Sequence, residues 1–149
     1  MSREHRANAR LAAVQALYQM DVAGKGINEI LAEFETFWIG QEVEGEQYKP
    51  AEVEYFRDVL NGVLADQRAL DVDINETLQA GWPLKRVEAV MRAVLRAGAY
   101  ELKKRKDVPV RVAITEYVDV AAAFLARDEV GMINAVLDAL ARKLRPQEF

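Results

Sequence analysis

The sequence predicts an all-α protein. Apolar residues recur at spacings of three and four along almost the whole chain, and no segment shows the alternation typical of a strand. Proline and glycine also stand where helices begin and end, as Pro50, Pro109 and Gly24 do. We therefore expect six or seven helices in one compact domain that spans residues 1–149.

Three helices are expected in the first half of the chain. The first ends near Gly24, and a polar stretch at 40–49 indicates a loop before Pro50 begins the third helix. That helix runs on toward Asp71 and is followed by a short helical turn at 74–78. The second and third helices are marked by apolar stripes at Ile27, Ile30, Leu31, Phe34 and Trp38, and at Val53, Phe56, Leu60, Val63 and Leu64.

The second half begins after Gly81, Trp82 and Pro83, which interrupt the helical pattern. Gly98 lies inside the next helix, where glycine costs about 1 kcal/mol relative to alanine, so we expect a close helix crossing there. Pro109 opens the following helix, and Asp128 is a suitable N-cap for the last one. The apolar stripes of these three helices are Val87, Val90, Met91, Val94, Leu95 and Leu102; Ile114, Tyr117, Val118, Ala121 and Leu125; and Ile133, Val136, Leu137, Leu140 and Leu144.

Composition limits the chemistry that the chain can perform. Its 149 residues contain no cysteine and one histidine, His5, so thiol catalysis, a histidine-based triad and an ordinary zinc site are not expected. No phosphate-binding loop or dinucleotide fingerprint occurs, and no apolar run is long enough for a membrane span or a signal peptide. We expect a soluble cytoplasmic binding module without cofactor or metal, rather than an enzyme.

The first helix carries a basic cluster in a chain whose net charge is −4. Arg3, Arg6 and Arg10 lie within about a quarter turn of the stripe formed by Leu11, Val14, Leu17 and Tyr18. Burying this whole stripe would desolvate three guanidinium groups, so the first two turns are expected to overhang the core. Such an overhang suits phosphate and most simply RNA, although a solvated helix end that binds nothing is the alternative.

Two further charged segments stand out. Between Ile27 and Asp58 there are nine acidic and two basic residues, which predicts an acidic face. The basic segment Lys103–Lys106 lies at the end of a helix, where positive charge favours the helix dipole and caps carbonyls. It is equally consistent with such a structural role and with contact to RNA or protein.

Five stretches together resemble the family of the transcription antitermination factor NusB. They are RLAAVQALY at 10–18, YFRD at 55–58, AVLRAGAYEL at 93–102, VPVRVAITE at 108–116 and INAVLD at 133–138. The resemblance covers nearly the whole chain and implies a fold of two three-helix bundles. It also implies a non-catalytic role in antitermination and ribosomal RNA transcription, in which the protein binds boxA RNA together with the ribosomal protein NusE in the RNA polymerase antitermination complex.

The resemblance also implies which residues bind RNA. The arginine-rich motif of the family maps onto Arg3, His5, Arg6 and Arg10, and a second contact maps onto the start of the last helix. Tyr18 either offers a stacking surface or belongs to the core with its hydroxyl at the rim. The residues expected at the second contact are Asp128, Met132 and Asn134, the last of which either reads an unpaired base or caps the backbone.

This chain departs from the family pattern at several positions. Family members usually carry more arginines at the amino terminus than this chain, which has Ala7 and Asn8 within the motif. Met132 stands in place of phenylalanine, and Ala135 stands in place of glycine. A thioether stacks on a base less well than a ring does, so RNA affinity is expected to be lower or more dependent on the partner.

Partner contact is expected at Glu76 and at Met91, which stands where an acidic residue is common in the family. Three further family positions, Arg96, Glu101 and Glu116, are expected to form a structural ion-pair set between two helices. The alternative function is a protein-interaction module, or a homodimer, with little RNA affinity of its own. An accessory domain of an RNA-modifying enzyme is disfavoured, because no catalytic domain is attached before Phe149.

Overall fold

The all-α prediction is confirmed. The computed structural model describes residues 3–40, 50–78 and 87–149, with side chains described for 4–36, 52–78 and 87–149. These ranges contain helices and no strand, and none of their helices is both long and apolar enough to span a bilayer. The helices are α1 (Arg3–Ala23), α2 (Ile27–Gly40), α3 (Pro50–Thr77), α4 (Ala89–Lys104), α5 (Val110–Ala122) and α6 (Arg127–Leu144), followed by a 3₁₀ turn (Pro146–Glu148).

Proline and glycine mark helix ends where the sequence predicts them. Gly24 follows α1 with a φ of 69°, and its N–H donates to the Met20 carbonyl at 3.1 Å. Pro50 begins α3, and Pro109 directly precedes α5. The expected loop at 40–49 lies, beyond Gly40, outside the described residues, as do the expected interruptions at 81–83.

The third helix is longer than expected. Instead of ending near Asp71 before a separate turn, α3 continues to Thr77 and contains a kink at Asp66, where φ is −119° and ψ is 17°. Leu70 and Ile74 are both fully buried, so the apolar face continues past the kink and keeps the chain helical. The described ranges therefore hold six α-helices.

The expected N-cap of the last helix is wrong. Ala126 takes the N-cap position, and the Glu129 carboxylate accepts a hydrogen bond from its N–H at 3.1 Å. Asp128 lies instead in the first turn of α6, where its negative charge favours the helix dipole.

Helix α4 lies at the centre of the packing. It packs against α1 and α3 of the first half of the chain and against α5 and α6 of the second half, so it joins the two groups of three helices. Ten of its residues are buried. Helix α2 lies along α1 and stacks Phe34 on Phe56 of α3, with the ring centroids 5.4 Å apart.

Two glycines allow close contacts with α4. The crossing predicted at Gly98 is confirmed, since a Cβ added there would lie 2.8 Å from a methyl group of Leu137 in α6. Gly62 of α3, which the sequence analysis did not single out, is more confined. A Cβ at Gly62 would lie 2.1 Å from the ring of Tyr100, whose hydroxyl donates to Asp58 at 2.9 Å.

We expect Gly62→Ala to destabilise the protein by about 1–3 kcal/mol, the usual range for overpacking. The Tyr100 ring cannot move aside without breaking its hydrogen bond to Asp58. Gly98→Ala is the matched control, because the Leu137 methyl is the flexible end of a side chain and alanine favours the helix by about 1 kcal/mol. Urea denaturation followed by circular dichroism measures both, and equal stability of the two variants would contradict the prediction.

Candidate nucleic-acid interface

The basic overhang predicted for α1 is wrong at Arg10. Its side chain is 1% exposed, and Ala9 beside it is fully buried, so the helix enters the core within its first two turns. Burial of this guanidinium is possible because a carboxylate lies buried opposite it: Arg10 Nε and Nη2 donate to the two Glu101 carboxylate oxygens at 2.9 and 3.0 Å. Arg10 is therefore a core residue and presents no free donor face to RNA.

Two tyrosines complete this buried cluster. Tyr55 donates its hydroxyl to Glu101 at 2.6 Å and accepts from Arg10 at 3.0 Å, and the hydroxyl of Tyr117 also donates to Glu101. Burial raises the pKa of both tyrosines, and the charge of Glu101 raises it further. Both phenols thus stay protonated and act as donors to the carboxylate.

Arg6 occupies a different environment from Arg10. It is half-buried, with its guanidinium carbon 5.1 Å from the centroid of the Tyr55 ring. Its Nε has no hydrogen-bond partner, and no ion pair is formed by Arg6 within the part of the chain that the structure describes. Arg105, from the segment after α4, lies over the same ring at 4.6 Å. Tyr55 thereby holds two surface guanidinium groups next to each other.

The other predicted residues of α1 differ in accessibility. Arg3 is the first residue of the helix, and its side chain lies outside the described side chains. His5 is half-buried and interacts with neighbouring residues. Tyr18 is 37% exposed, so its ring lies at the surface rather than in the core.

The start of α6 presents polar residues to solvent. Asp128 and Asn134 are exposed, whereas Met132 is half-buried and packs against the core. Ala135 is exposed as well. A base that stacked on Met132 would therefore meet only part of the thioether.

The two expected partner contacts have different outcomes. Glu76 is exposed on α3 and forms an ion pair with Lys143 of α6. Met91 is 4% exposed and belongs to the hydrophobic core, so the expectation of a partner contact there is wrong. The apolar stripe of α4 explains its burial.

The expected ion-pair set of Arg96, Glu101 and Glu116 is also wrong in its partners. Glu101 binds Arg10, whereas Arg96 forms a two-point pair with Asp71 of α3 at 2.8 and 2.9 Å. Glu116 is buried and lines a groove between α1 and α5. The structural role holds for Arg96 and Glu101, but each pairs with a helix of the first half of the chain.

The basic segment Lys103–Lys106 is divided between paired and unpaired residues. Lys103 lies 3.1 Å from Asp73 and 3.5 Å from Asp66, and Arg105 binds Asp58 and Asp107 at 2.9 and 3.0 Å. The hydrogen bond from Arg105 lowers the pKa of the Asp107 carboxyl. Lys104 and Lys106 are exposed and form no ion pair with any described residue.

The opposite side of α1 is acidic. Glu4 and Asn8 of α1 face Asp119 of α5 across an open groove whose floor is largely apolar. Its remaining lining residues are Ala7, Leu11, Glu116, Val120 and Ala123. Ala7 and Asn8 thus lie in this groove, whereas Arg6 lies on the side of α1 that faces Tyr55.

Comparison with known proteins identifies the family. The model of the NusB family matches residues 7–142 of the chain. The chain belongs to the NusB family. A relative from Bradyrhizobium diazoefficiens, described as transcription antitermination protein NusB, is 65% identical over 97% of this chain and 87% of its own length. A NusB relative from Nitrobacter hamburgensis is 62% identical over 97% of this chain and 90% of its own length.

Solved structures of NusB share the fold. NusB from T. maritima has a TM-score of 0.81 and 29% identity, covering 96% of this chain and 94% of that one. A structure described as NusB and NusE in complex with dsRNA has a TM-score of 0.78 and 22% identity, covering 95% and 99% of the two chains. The family resemblance, the all-helical NusB fold and the function in transcription antitermination are thereby confirmed.

Proposed function

We propose that this NusB-family protein acts in the cytoplasm by binding boxA RNA together with NusE, as part of the RNA polymerase antitermination complex. Support comes from the family and from the NusB structure described in complex with NusE and RNA. Residues 1–149 act in this proposal as one RNA-binding helical domain without catalytic residues. Arg10 is not among the RNA-contacting residues of this proposal because it is buried, and the proposed contacts whose side chains are described are exposed or half-buried.

Arg6 is the observation that carries the RNA proposal. Its guanidinium is held on the Tyr55 ring at 5.1 Å, yet its Nε lacks a hydrogen-bond partner among the described residues. The Nε itself is buried, so in this proposal the terminal Nη groups bind the phosphate, and because the Tyr55 ring already orientates the guanidinium, little side-chain entropy is lost. Arg3 and His5, one turn or less before Arg6, extend this contact.

The second contact in the proposal is formed by Asp128, Met132 and Asn134 at the start of α6, and Tyr18 of α1 offers a separate stacking surface. Exposure of Asn134 and Tyr18 leaves an amide for base edges and a ring for stacking. Because Met132 is half-buried and lacks a ring, this contact is weak alone. We therefore expect RNA binding to depend strongly on NusE.

NusE is proposed to bind a surface that includes Glu76. The carboxylate of Glu76 is exposed and paired with Lys143, and a basic group of a partner can replace that lysine. If RNA and NusE bind cooperatively, each raises the affinity for the other by the same factor.

Arg6→Gln is expected to weaken boxA binding about fivefold to tenfold at 0.05 M salt and to reduce the slope of log K against log salt by about 0.7, the value for one phosphate contact on a single strand. Fluorescence anisotropy with a boxA oligonucleotide and a scrambled one, with and without NusE, measures both quantities. Arg68→Gln is the matched control. Arg68 is an exposed arginine of α3 that lies about 20 Å along the helix from Tyr55.

Selective, salt-sensitive binding that NusE strengthens and Arg6→Gln weakens would support the proposal. If boxA and scrambled RNA bound equally with NusE present, the chain would be a protein-interaction module or homodimer instead. Equal loss in the Arg6→Gln and Arg68→Gln variants would show that overall charge, and not the Arg6 contact, sets the affinity.

A further inference from the structure

The basic segment at the end of α4 has no structural explanation for two of its four residues. Lysines at this position usually neutralise the last carbonyls of a helix. Here Arg145 takes that role: its buried guanidinium donates to four backbone carbonyls at 2.6–3.0 Å, those of Glu101, Leu102, Arg105 and Val108. Lys104 and Lys106 are thus not needed to cap α4.

Neighbouring carboxylates do not explain the two lysines either. Asp58 and Asp107, the aspartates beside this segment, are both bound by Arg105. Lys104 and Lys106 point into solvent with no ion pair among the described residues, while Lys103 and Arg105 are fully engaged. The segment therefore presents two free positive charges.

These charges are continuous with the Arg6 surface. The guanidinium carbons of Arg6 and Arg105 lie 5.1 and 4.6 Å from the centroid of the same Tyr55 ring, so they are within about 10 Å of each other. Lys104 and Lys106 flank Arg105 in the chain. A strand whose phosphate sits on Arg6 reaches them within a few nucleotides.

We propose that Lys104 and Lys106 bind phosphates of an RNA segment that flanks the nucleotides held at Arg6. The interaction is with the backbone and independent of base sequence, because ammonium groups on flexible stems act as point charges. It rests on the RNA binding proposed above and extends the RNA surface from α1 to the segment that joins α4 to α5. The two lysines thus increase the affinity for longer RNA, while the boxA contacts determine which sequence is bound.

The test is a comparison of Lys104→Gln/Lys106→Gln with wild type by fluorescence anisotropy, on a boxA oligonucleotide and on boxA extended by about six nucleotides at either end. With one of the extended RNAs, we expect the slope of log K against log salt to be smaller by about 1.4 for the double variant than for wild type, since each phosphate contact on a single strand contributes about 0.7. The ratio of wild-type to variant affinity should then shrink about sevenfold between 0.05 and 0.2 M salt.

Lys25→Gln/Arg68→Gln is the control that removes the same charge elsewhere. Lys25 follows α1 at its far end and Arg68 lies in the second half of α3. Unchanged thermal unfolding of both double variants shows that the fold is intact. This is expected because Lys104, Lys106 and Arg68 are exposed and the pair of Lys25 with Glu33 is largely open to solvent.

The outcomes separate this inference from the proposed function. If Arg6→Gln weakens boxA binding but the lysine variant matches wild type on all three RNAs, the extended surface is wrong and the boxA site stands. If the lysine variant lowers the slope of log K against log salt and Arg6→Gln does not, the extended surface is supported and the Arg6 site is wrong. Loss of NusE affinity with unchanged RNA affinity would make the segment a protein contact and overturn the inference.

Discussion

Arg10→Met is expected to destabilise the protein by about 3–5 kcal/mol, the usual cost of removing one partner from a buried ion pair. Both Arg10 and Glu101 are at most 1% exposed, so the substitution leaves a carboxylate in the core without its counter-charge. Tyr55 and Tyr117 still donate to Glu101, but two neutral donors do not replace a guanidinium. Urea denaturation followed by circular dichroism measures the change in the free energy of unfolding.

A double-mutant cycle isolates the pair itself. Glu101→Gln removes the negative charge, and the double variant Arg10→Met/Glu101→Gln should be more stable than the two single losses would predict. Arg96→Met is the comparison for a less buried pair, because Arg96 and Asp71 are 14% and 25% exposed. A loss below about 1 kcal/mol for Arg10→Met would show that the core accommodates Glu101 without its arginine.

The position of Arg10 changes how RNA-binding assays must be designed. Any substitution at Arg10 alters the core, so a fall in RNA affinity there reports folding as well as contact. Arg6 can be tested alone, because its guanidinium lies at the edge of the same cluster and forms no ion pair with any described residue.

Arg145→Met is expected to cost about 3 kcal/mol or more. Arg145 is fully buried and donates to four carbonyls that close α4 and the segment after it. Methionine fills much of the space but donates to none of the four carbonyls. Those of Glu101 and Arg105 keep the N–H groups of Arg105 and Val108 as donors, whereas those of Leu102 and Val108 lose the arginine, and a hydrogen bond to a charged group contributes about 1.5–3 kcal/mol. Denaturation measures the loss, and hydrogen exchange should show it first at the amides of Arg105 and Val108.

Arg142→Met is the control for Arg145. It removes an exposed arginine three residues earlier, whose pair with Asp138 is open to solvent on both sides. Exposed pairs contribute about 0–1 kcal/mol, so Arg142→Met should change stability little. If the two variants lost equal stability, the carbonyl contacts of Arg145 would not be the source of the effect.

The helix pattern could be predicted from sequence because it depends on local signals. Gly24 ends α1 because its backbone takes a left-handed conformation that glycine adopts without a steric penalty. Pro50 begins α3 because its fixed φ suits the first turn of a helix. The end of α3 depends on packing instead: the break expected after Asp71 does not occur, because Leu70 and Ile74 are both buried and keep the chain helical to Thr77.

The candidate site was harder to predict because its charges pair over long distances in the chain. Nothing near Arg10 indicates that Glu101, 91 residues away, lies opposite it. Lys103 and Arg105 likewise form ion pairs with aspartates of α3, whereas Lys104, which lies between them in the chain, forms none with a described residue. Sequence thus locates the basic segments, and tertiary contacts decide which of their residues remain free for a ligand.

The pair between α1 and α4 also means that the two groups of helices cannot be treated as independent building blocks. If the chain were divided between α3 and α4, one fragment would carry Arg10 and the other Glu101, each without its counter-charge. Neither fragment would have a complete hydrophobic core, and the native fold would form only if the two fragments associated. The pair of Arg10 and Glu101 thus makes each group of three helices depend on the other for its counter-charge.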